Sequence, residues 1–471
     1  MKRILAIYAV VSTVFVLGIG AIFHLGQHMS LGPAAAVHIA SAAGASVWAA
    51  LWQNVHDPLA HLLIQFIVII VATRLVGSLF SRFGQPAVIG EMLAGILLGP
   101  SLLGWLSPGS FAFVFPKESL GILQLFSQIG VCLFMFVVGL ELDVSNLRRR
   151  AQTAIVVSHS SIMVPFLLGA ASALLLYRPF AAPGTTFVSF ALFMGIAMSI
   201  TAFPVLARIL SDRGLTQTPL GVTALTCAAV DDATAWAILA FIVAIAKATG
   251  LVPTLVNLGL LVVYVLVMLF GVRPLLARVL TVERLKSPGA LGAIAAILVV
   301  MTASALATQA IGIHALFGAF LAGAVMPRNK DFHEYLSVRL ENFSTVFLLP
   351  LFFAFSGLRT QVNMLNDATS WLVVAGIVAV AVTGKVAGST IPARLTGMSW
   401  SESFQLGALM NTRGLVELIA LNIGYDLGIL PPRIFAMLVL MALATTFMTG
   451  PLLGLANWAR LRGTVGAAAA P

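Results

Sequence analysis

The sequence predicts an all-α polytopic membrane protein with thirteen core transmembrane helices, one extra N-terminal helix, and two inverted repeats that each contain a discontinuous helix. Three observations carry this expectation. The 471 residues are 60% hydrophobic and 9% charged, against about 25% charged in a water-soluble globule. Apolar stretches of about 20 residues, enough to span a bilayer, recur along the chain. Basic residues fall in the short connectors and alternate in density from one connector to the next.

The first element, Met1 to Leu25, opens on Lys2-Arg3 and continues through some twenty apolar residues. That run is longer than the roughly 7 to 15 residues of a signal-peptide core, so it reads as a retained helix. Gly26 to Asp57 reads as an external linker. The transmembrane domain is expected over 58–457, followed by a short cytoplasmic tail, 458–471.

Thirteen apolar segments fill that domain, near 58–80, 85–105, 119–140, 151–177, 185–210, 221–247, 250–272, 289–310, 312–327, 341–357, 370–393, 404–424 and 432–457. Sixteen connector arginines and lysines, from Arg82 to Arg462, fall on one side; five, Lys117, Arg178, Lys247, Arg359 and Arg433, fall on the other. The denser side is cytoplasmic, which puts both chain ends inside a cell membrane. Arg74 snorkels from a helix end, whereas Lys385 and Arg413 are deep. The odd segment, 250–272, separates two sets of six, so the second set enters with opposite orientation. This is the plan of an inverted-repeat transporter.

The net charge of +10 does not indicate nucleic acid, because no basic patch interleaves with aromatics. Cys132 and Cys227 lie in apolar spans and read as reduced thiols. No His or Cys cluster calls for a transition metal, and no cofactor is expected.

The segment 221–247 carries Asp231-Asp232, about 15 to 17 Å from its start at 1.5 Å per residue. An acid at mid-membrane costs at least a few kcal/mol and marks a functional site. The fifth segment of each set is interrupted: Ser199-Ile200-Thr201-Ala202-Phe203-Pro204 in the first, Asn411-Thr412-Arg413-Gly414 in the second. Breaks at corresponding places point to a transport site, where unwound backbone can coordinate a cation. Thr201, Asn411 to Arg413, Lys385 and Asp232 all lie about 12 to 17 Å from the cytoplasmic ends of their segments.

Carboxylates, hydroxyls and carbonyls at one depth suit competition between a proton and a hard monovalent cation, Na+ or K+, for carboxylate oxygen. The two acids are about 100° apart on a helix, so one can contact the ion at the break while the other meets a cation such as Lys385. Such a cluster is expected to exchange protons as one coupled unit. Some residues keep two readings. Lys385 either faces the acids or snorkels to the cytoplasm. Arg413 and Glu417, four apart, either support the site or only hold the break. Glu91 either caps or pairs locally, and His314 and Phe317 are read as packing residues. Gly95, Gly99 and Gly104 allow close helix contact.

Together, GQPAVIGEMLAG with LGPS (84–95 and 98–101), SITAFPVLARIL (199–210), Asp231-Asp232, IHALFG (313–318) and NTRGLVEL (411–418) resemble the monovalent cation:proton antiporters of the Kef-type and plant cation/proton exchanger branch. The resemblance covers 58–457. It implies a core domain in which the two broken helices cross, a separate dimerisation domain, a homodimer, and elevator-like alternating access. It implies Asp232 as the essential ion- and proton-binding acid, Asp231 as its partner, Thr201 as a ligand at the first break, and Lys385 as the basic residue facing the crossing, with Ser199, Asn411, Thr412, Arg413 and Glu417 supporting it. Three departures accompany it. Many members carry Asn or Gln where Asp231 stands, and paired acids resemble the electrogenic sodium/proton exchangers, so exchange is expected to generate a membrane potential. No nucleotide-binding domain is expected after the last helix. The N-terminal helix is extra.

A gated cation channel is the alternative, but no carbonyl-filter motif repeats. An intramembrane aspartyl protease expects its acids on two helices, so an enzyme is not expected.

Overall fold

A computed structural model describes residues 57–141, 151–247, 251–280, 290–327 and 343–468, with single positions between 13 and 55 and between 329 and 340. The chain divides into Met1–Asp57 and Pro58–Pro471. Most of the N-terminal helix and of the linker expected over 26–57 lies outside the described residues. So do the connector cations Arg148 to Arg150, Arg284, Lys286 and Lys330.

All regular structure among the described residues of the second unit is helical; besides short helical turns at Leu103–Leu106, Pro108–Val114, Arg273–Val279 and Val362–Met364, it comprises α1 (Pro58–Arg82), α2 (Ala87–Leu98), α3 (Lys117–Glu141), α4 (Ala151–Phe180), α5 (Phe187–Ser199), α6 (Phe203–Asp212), α7 (Pro219–Lys247), α8 (Leu251–Leu266), α9 (Ala290–Ile311), α10 (Ala315–Ala324), α11 (Leu349–Arg359), α12 (Ala368–Leu395), α13 (Trp400–Met410), α14 (Leu415–Asp426) and α15 (Pro432–Ala468). Among the described residues, eleven helical stretches are long and apolar enough to cross a membrane. The segment expected over 312–327 holds only the ten residues of α10, and that over 404–424 is divided into α13 and α14. Helix α8 continues through a π-helical turn, Val267–Val272, and α11 is preceded by another, Ser344–Leu348. α15 runs on to Ala468.

Two bundles result. In one, α1 packs on α2, α2 on α11, and α3 on α10 and α11, with α9 against α10. In the other, α4 packs on α5 and α12, with α7, α13, α14 and α15 around them. They meet along α11–α14 and α2–α15.

In hydrocarbon no solvent-exclusion force draws helices together, so close backbone approach through small residues does the work. Glycine supplies it here. A methyl at Gly139 would sit 2.0 Å from the Phe320 carbonyl oxygen, and one at Gly323 2.0 Å from that of Phe136, a reciprocal contact of α3 and α10. Gly95 and Gly357 do the same for α2 and α11, with a Cβ on Gly357 only 2.3 Å from the Gly95 carbonyl carbon. Gly99 also abuts α11, whereas Gly104 makes only ordinary contact with Phe111.

Candidate ion-binding site

The break between α5 and α6 arises from local chemistry. Pro204, second in α6, cannot donate to a preceding turn and disfavours helical backbone before it. Ile200 and Ala202 are extended. The second break, Asn411 to Gly414, ends α13, and Gly414 starts α14 with a φ of 164°.

The two breaks touch. The Ala202 N–H donates to the Thr412 carbonyl at 3.0 Å, and the Thr201 hydroxyl oxygen lies 3.1 Å from the Met410 carbonyl oxygen. A helix end inside a membrane leaves carbonyls without partners. Arg413 donates to Ala197 O at 2.7 Å and Met198 O at 2.6 Å, and Lys385 donates to Ser199 O. Two cations thus cap the last three carbonyls of α5, where the helix dipole is negative.

Lys385 is fully buried and does not snorkel. Its Nζ lies 2.8 Å from Asp231 Oδ2 and 3.0 Å from Ser161 O. Asp231 also accepts from Thr201 Oγ1 at 2.6 Å, Ser158 Oγ at 2.8 Å and Ser161 Oγ at 2.9 Å. Asp232, one residue on and 1% exposed, has no hydrogen-bond partner on either carboxylate oxygen. The backbone N–H of Phe203, at the positive end of α6, is aimed at this carboxylate as a weak donor. A buried carboxylate without side-chain donors is costly unless a proton or cation completes it.

The remaining expected residues divide. Thr201 is in the cluster, bonded to Asp231 rather than placed against Asp232. The Ser199 hydroxyl turns back on its own helix, to Gly195 O at 2.6 Å, so only its carbonyl serves the site. Asn411 donates to Thr445 O at 3.2 Å and Thr412 meets the Thr449 hydroxyl at 3.4 Å. Both anchor the second break to α15. Arg413 is 3.4 Å from Glu417, both buried, so the pair exists while the arginine's short bonds go to α5. Glu91 pairs with Arg74 at 3.7 Å, and Arg74 also donates to Thr345 O and Val346 O. The His314 side chain accepts from Leu316 N–H at the start of α10.

Ser158 and Ser161 were not anticipated. Their signal was a run of hydroxyls, Ser158-His159-Ser160-Ser161, inside an apolar span. Thr446 was missed as well: it accepts from Arg413 N–H at 3.0 Å and donates to Arg413 O at 2.9 Å, pinning the second break.

Access to the crossing is unequal. A cavity of about 860 Å³ is lined by Arg74 and Glu91 of one bundle and by Pro204, Arg208, Leu415 and Thr446 of the other, and so reaches the crossing from the end rich in basic residues. At the opposite end Arg359 of α11 pairs with Asp426 of α14 at 2.8 Å and donates to Asn422 at 3.0 Å. Asn422 donates to Ser356 of α11 at 2.8 Å. Only about 30 Å³ of space remains beside them.

Comparison with known proteins follows this geometry. Residues 66–456 match the model of the sodium/hydrogen exchanger transmembrane family. The Na+/H+ antiporter NhaS4 of Synechocystis is 46% identical over 395 residues, covering 83% of this chain and 96% of the relative. K+/H+ antiporter 1 of Saccharomyces cerevisiae is 35% identical over 407 residues, covering 85% of this chain but 46% of the relative. The fold is similar to that of the sodium proton antiporter MjNhaP1 from Methanocaldococcus jannaschii, with a TM-score of 0.60 at 16% identity, over 85% of this chain and 97% of that one.

Proposed function

The chain belongs to the sodium/hydrogen exchanger family, and from that membership we propose that it is a secondary antiporter in which Asp232 carries a monovalent cation one way and a proton the other. Cation/proton exchange, and not a channel, is the activity of its relatives by name. The observation that carries the site is the contrast between two neighbouring acids: four side-chain donors, from Ser158, Ser161, Thr201 and Lys385, are directed to Asp231, and no side-chain donor to Asp232. Na+ is the favoured cation on the 46% identity to a Na+/H+ antiporter, with K+ the second reading on the yeast relative.

The finer architecture follows the same reading. The eleven spans, with α10 and the broken α13–α14, make thirteen core helices beside the extra N-terminal one, arranged as two inverted sets of six around α8. The bundle of α4 to α7 and α12 to α15 is the moving core, and the other bundle supports it and forms a homodimer. The basic end of the large cavity faces the cytoplasm, as do both chain ends, so the conformation described is open to the inside of a cell membrane.

A pH-gradient measurement in inside-out vesicles or proteoliposomes tests this. Na+, K+ or Li+ added singly should collapse the gradient, and Asp232→Asn should abolish the collapse. A gradient that no alkali cation dissipates, or an active Asp232→Asn protein, overturns the reading.

A further inference from the structure

We propose that Ser158 and Ser161 lock Asp231 and Lys385 into a permanently charged pair, so that each turnover exchanges one cation for one proton and moves no net charge. The proposal rests on the assignment of ion and proton to Asp232. It departs from the electrogenic exchange expected of paired acids.

The argument is a count of hydrogen-bonding capacity. An ionised carboxylate offers about four lone-pair sites, and an ammonium three N–H donors. At Asp231, Oδ1 accepts from Ser158 Oγ at 2.8 Å and Ser161 Oγ at 2.9 Å. Oδ2 accepts from Thr201 Oγ1 at 2.6 Å and Lys385 Nζ at 2.8 Å. With the single hydroxyl protons of Ser161 and Thr201 turned to the carboxylate rather than to the Ser158 and Met410 carbonyls, no site is left for a cation. The Lys385 donors go to Asp231 Oδ2, Ser161 O and Ser199 O. A neutral amine, with two N–H groups, would leave one of those buried acceptors unmet.

Other charged groups do not compete for the pair. Asp232 is next on α7 and lacks bonded partners. Arg413 is committed to Ala197 O, Met198 O and Glu417. His159, the titratable group of α4 at this level, turns its ring to the Ile155 carbonyl at 2.8 Å. Helix α5 presents the Ser199 carbonyl, which Lys385 caps.

Charge then balances. With a cation on Asp232 the site is neutral; with a proton on Asp232 it is neutral again; the Asp231–Lys385 pair contributes zero in both half-cycles. Moving a second proton would require Lys385 to lose one. For that, Asp231 must leave Lys385 for the cation, and the two serine hydroxyls hold it to α4. Ser158 and Ser161 are positioning residues: they touch neither the ion nor the exchanging proton.

The experiment pairs dye-reported proton flux with charge displacement on solid-supported membranes, using proteoliposomes and whichever alkali cation collapses the pH gradient. Wild type should move protons without net current. Ser158→Ala/Ser161→Ala, which frees both Oδ1 lone pairs, should carry at least about tenfold more current per proton, and Ser158→Thr/Ser161→Thr, which keeps the hydroxyls, should stay silent. A purely structural defect would lower flux without raising current per proton. Wild-type current matching one charge per cation overturns the proposal, even if the alanine variant fails to fold. An alanine variant that exchanges silently overturns the serines' role. Absence of dye response in wild type instead defeats the antiport reading itself.

Discussion

At the residue scale the crossing is a problem of capping before it is a problem of transport. Lys385 does two jobs, neutralising Asp231 and satisfying the Ser161 and Ser199 carbonyls. Removing it strands a buried anion together with those acceptors, and breaking a buried pair in this way costs about 3–5 kcal/mol. Lys385→Met should therefore lower thermal stability in detergent severely. The double variant Asp231→Asn/Lys385→Met should lose less than the sum of the single losses, because the stranded charge is gone. A strictly additive double-mutant cycle would contradict the pairing. The acids, Lys385 and both breaks were legible in the sequence, since a charge in an apolar run and a proline or glycine in a span are costly and local. Ser158 and Ser161 were not. Hydroxyls are common in membrane helices, where they bond the preceding turn, an alternative open to Ser161, whose oxygen lies 2.8 Å from Ser158 O. Only packing shows that α4 turns them toward α7.

At the element scale, each helix boundary that matters is fixed by a specific side chain. Asp367 caps α12, accepting from Ser370 N–H at 3.0 Å and the Ser370 hydroxyl at 2.6 Å, and pairs with Arg433 at the start of α15. The Ser370 hydroxyl first, then the Ser370 N–H and the Arg433 guanidinium, hold the Asp367 carboxyl below its ordinary value. A carboxyl depressed in the folded state contributes stability that is present above its unfolded value, about 3.9, and is lost as pH falls through the folded one. Asp367→Asn should thus melt lower than wild type at neutral pH, and the difference should close in acid below about pH 4. A difference independent of pH would assign the cap no charge. Helix bounds near 58–82, 117–141 and 368–395 follow the apolar runs closely. The π-helical turns at Val267–Val272 and Ser344–Leu348 have no marker in the sequence, because one extra residue in a turn leaves the apolar pattern intact.

At the scale of the whole molecule, the two bundles are held shut at one end and apart at the other. The closed end depends on Arg359, which binds Asp426 and Asn422 across the seam and lies over the Phe355 and Tyr425 rings at 4.3 and 5.0 Å. Arg359→Ala should favour the conformation open at that end. Ile419→Cys, on the small space beside the latch, should then react severalfold faster with a membrane-impermeant thiol reagent applied from outside; an unchanged rate would show that other contacts keep the seam closed. The seam itself was beyond sequence reading, because it joins residues more than sixty positions apart through a shape that only the packed bundles define.

The caps on α5 also set a timetable for synthesis. Ala197, Met198 and Ser199 wait for Lys385 and Arg413, which follow them by 186 to 216 residues. At about 5–20 residues per second, the ribosome supplies those cations roughly 10–40 s later. During that interval the first half of the chain holds an unfinished helix end in the membrane, with Asp231 lacking its lysine. The nascent protein is then at its most vulnerable to membrane-embedded quality control, and a chain truncated before residue 385 stays in that state.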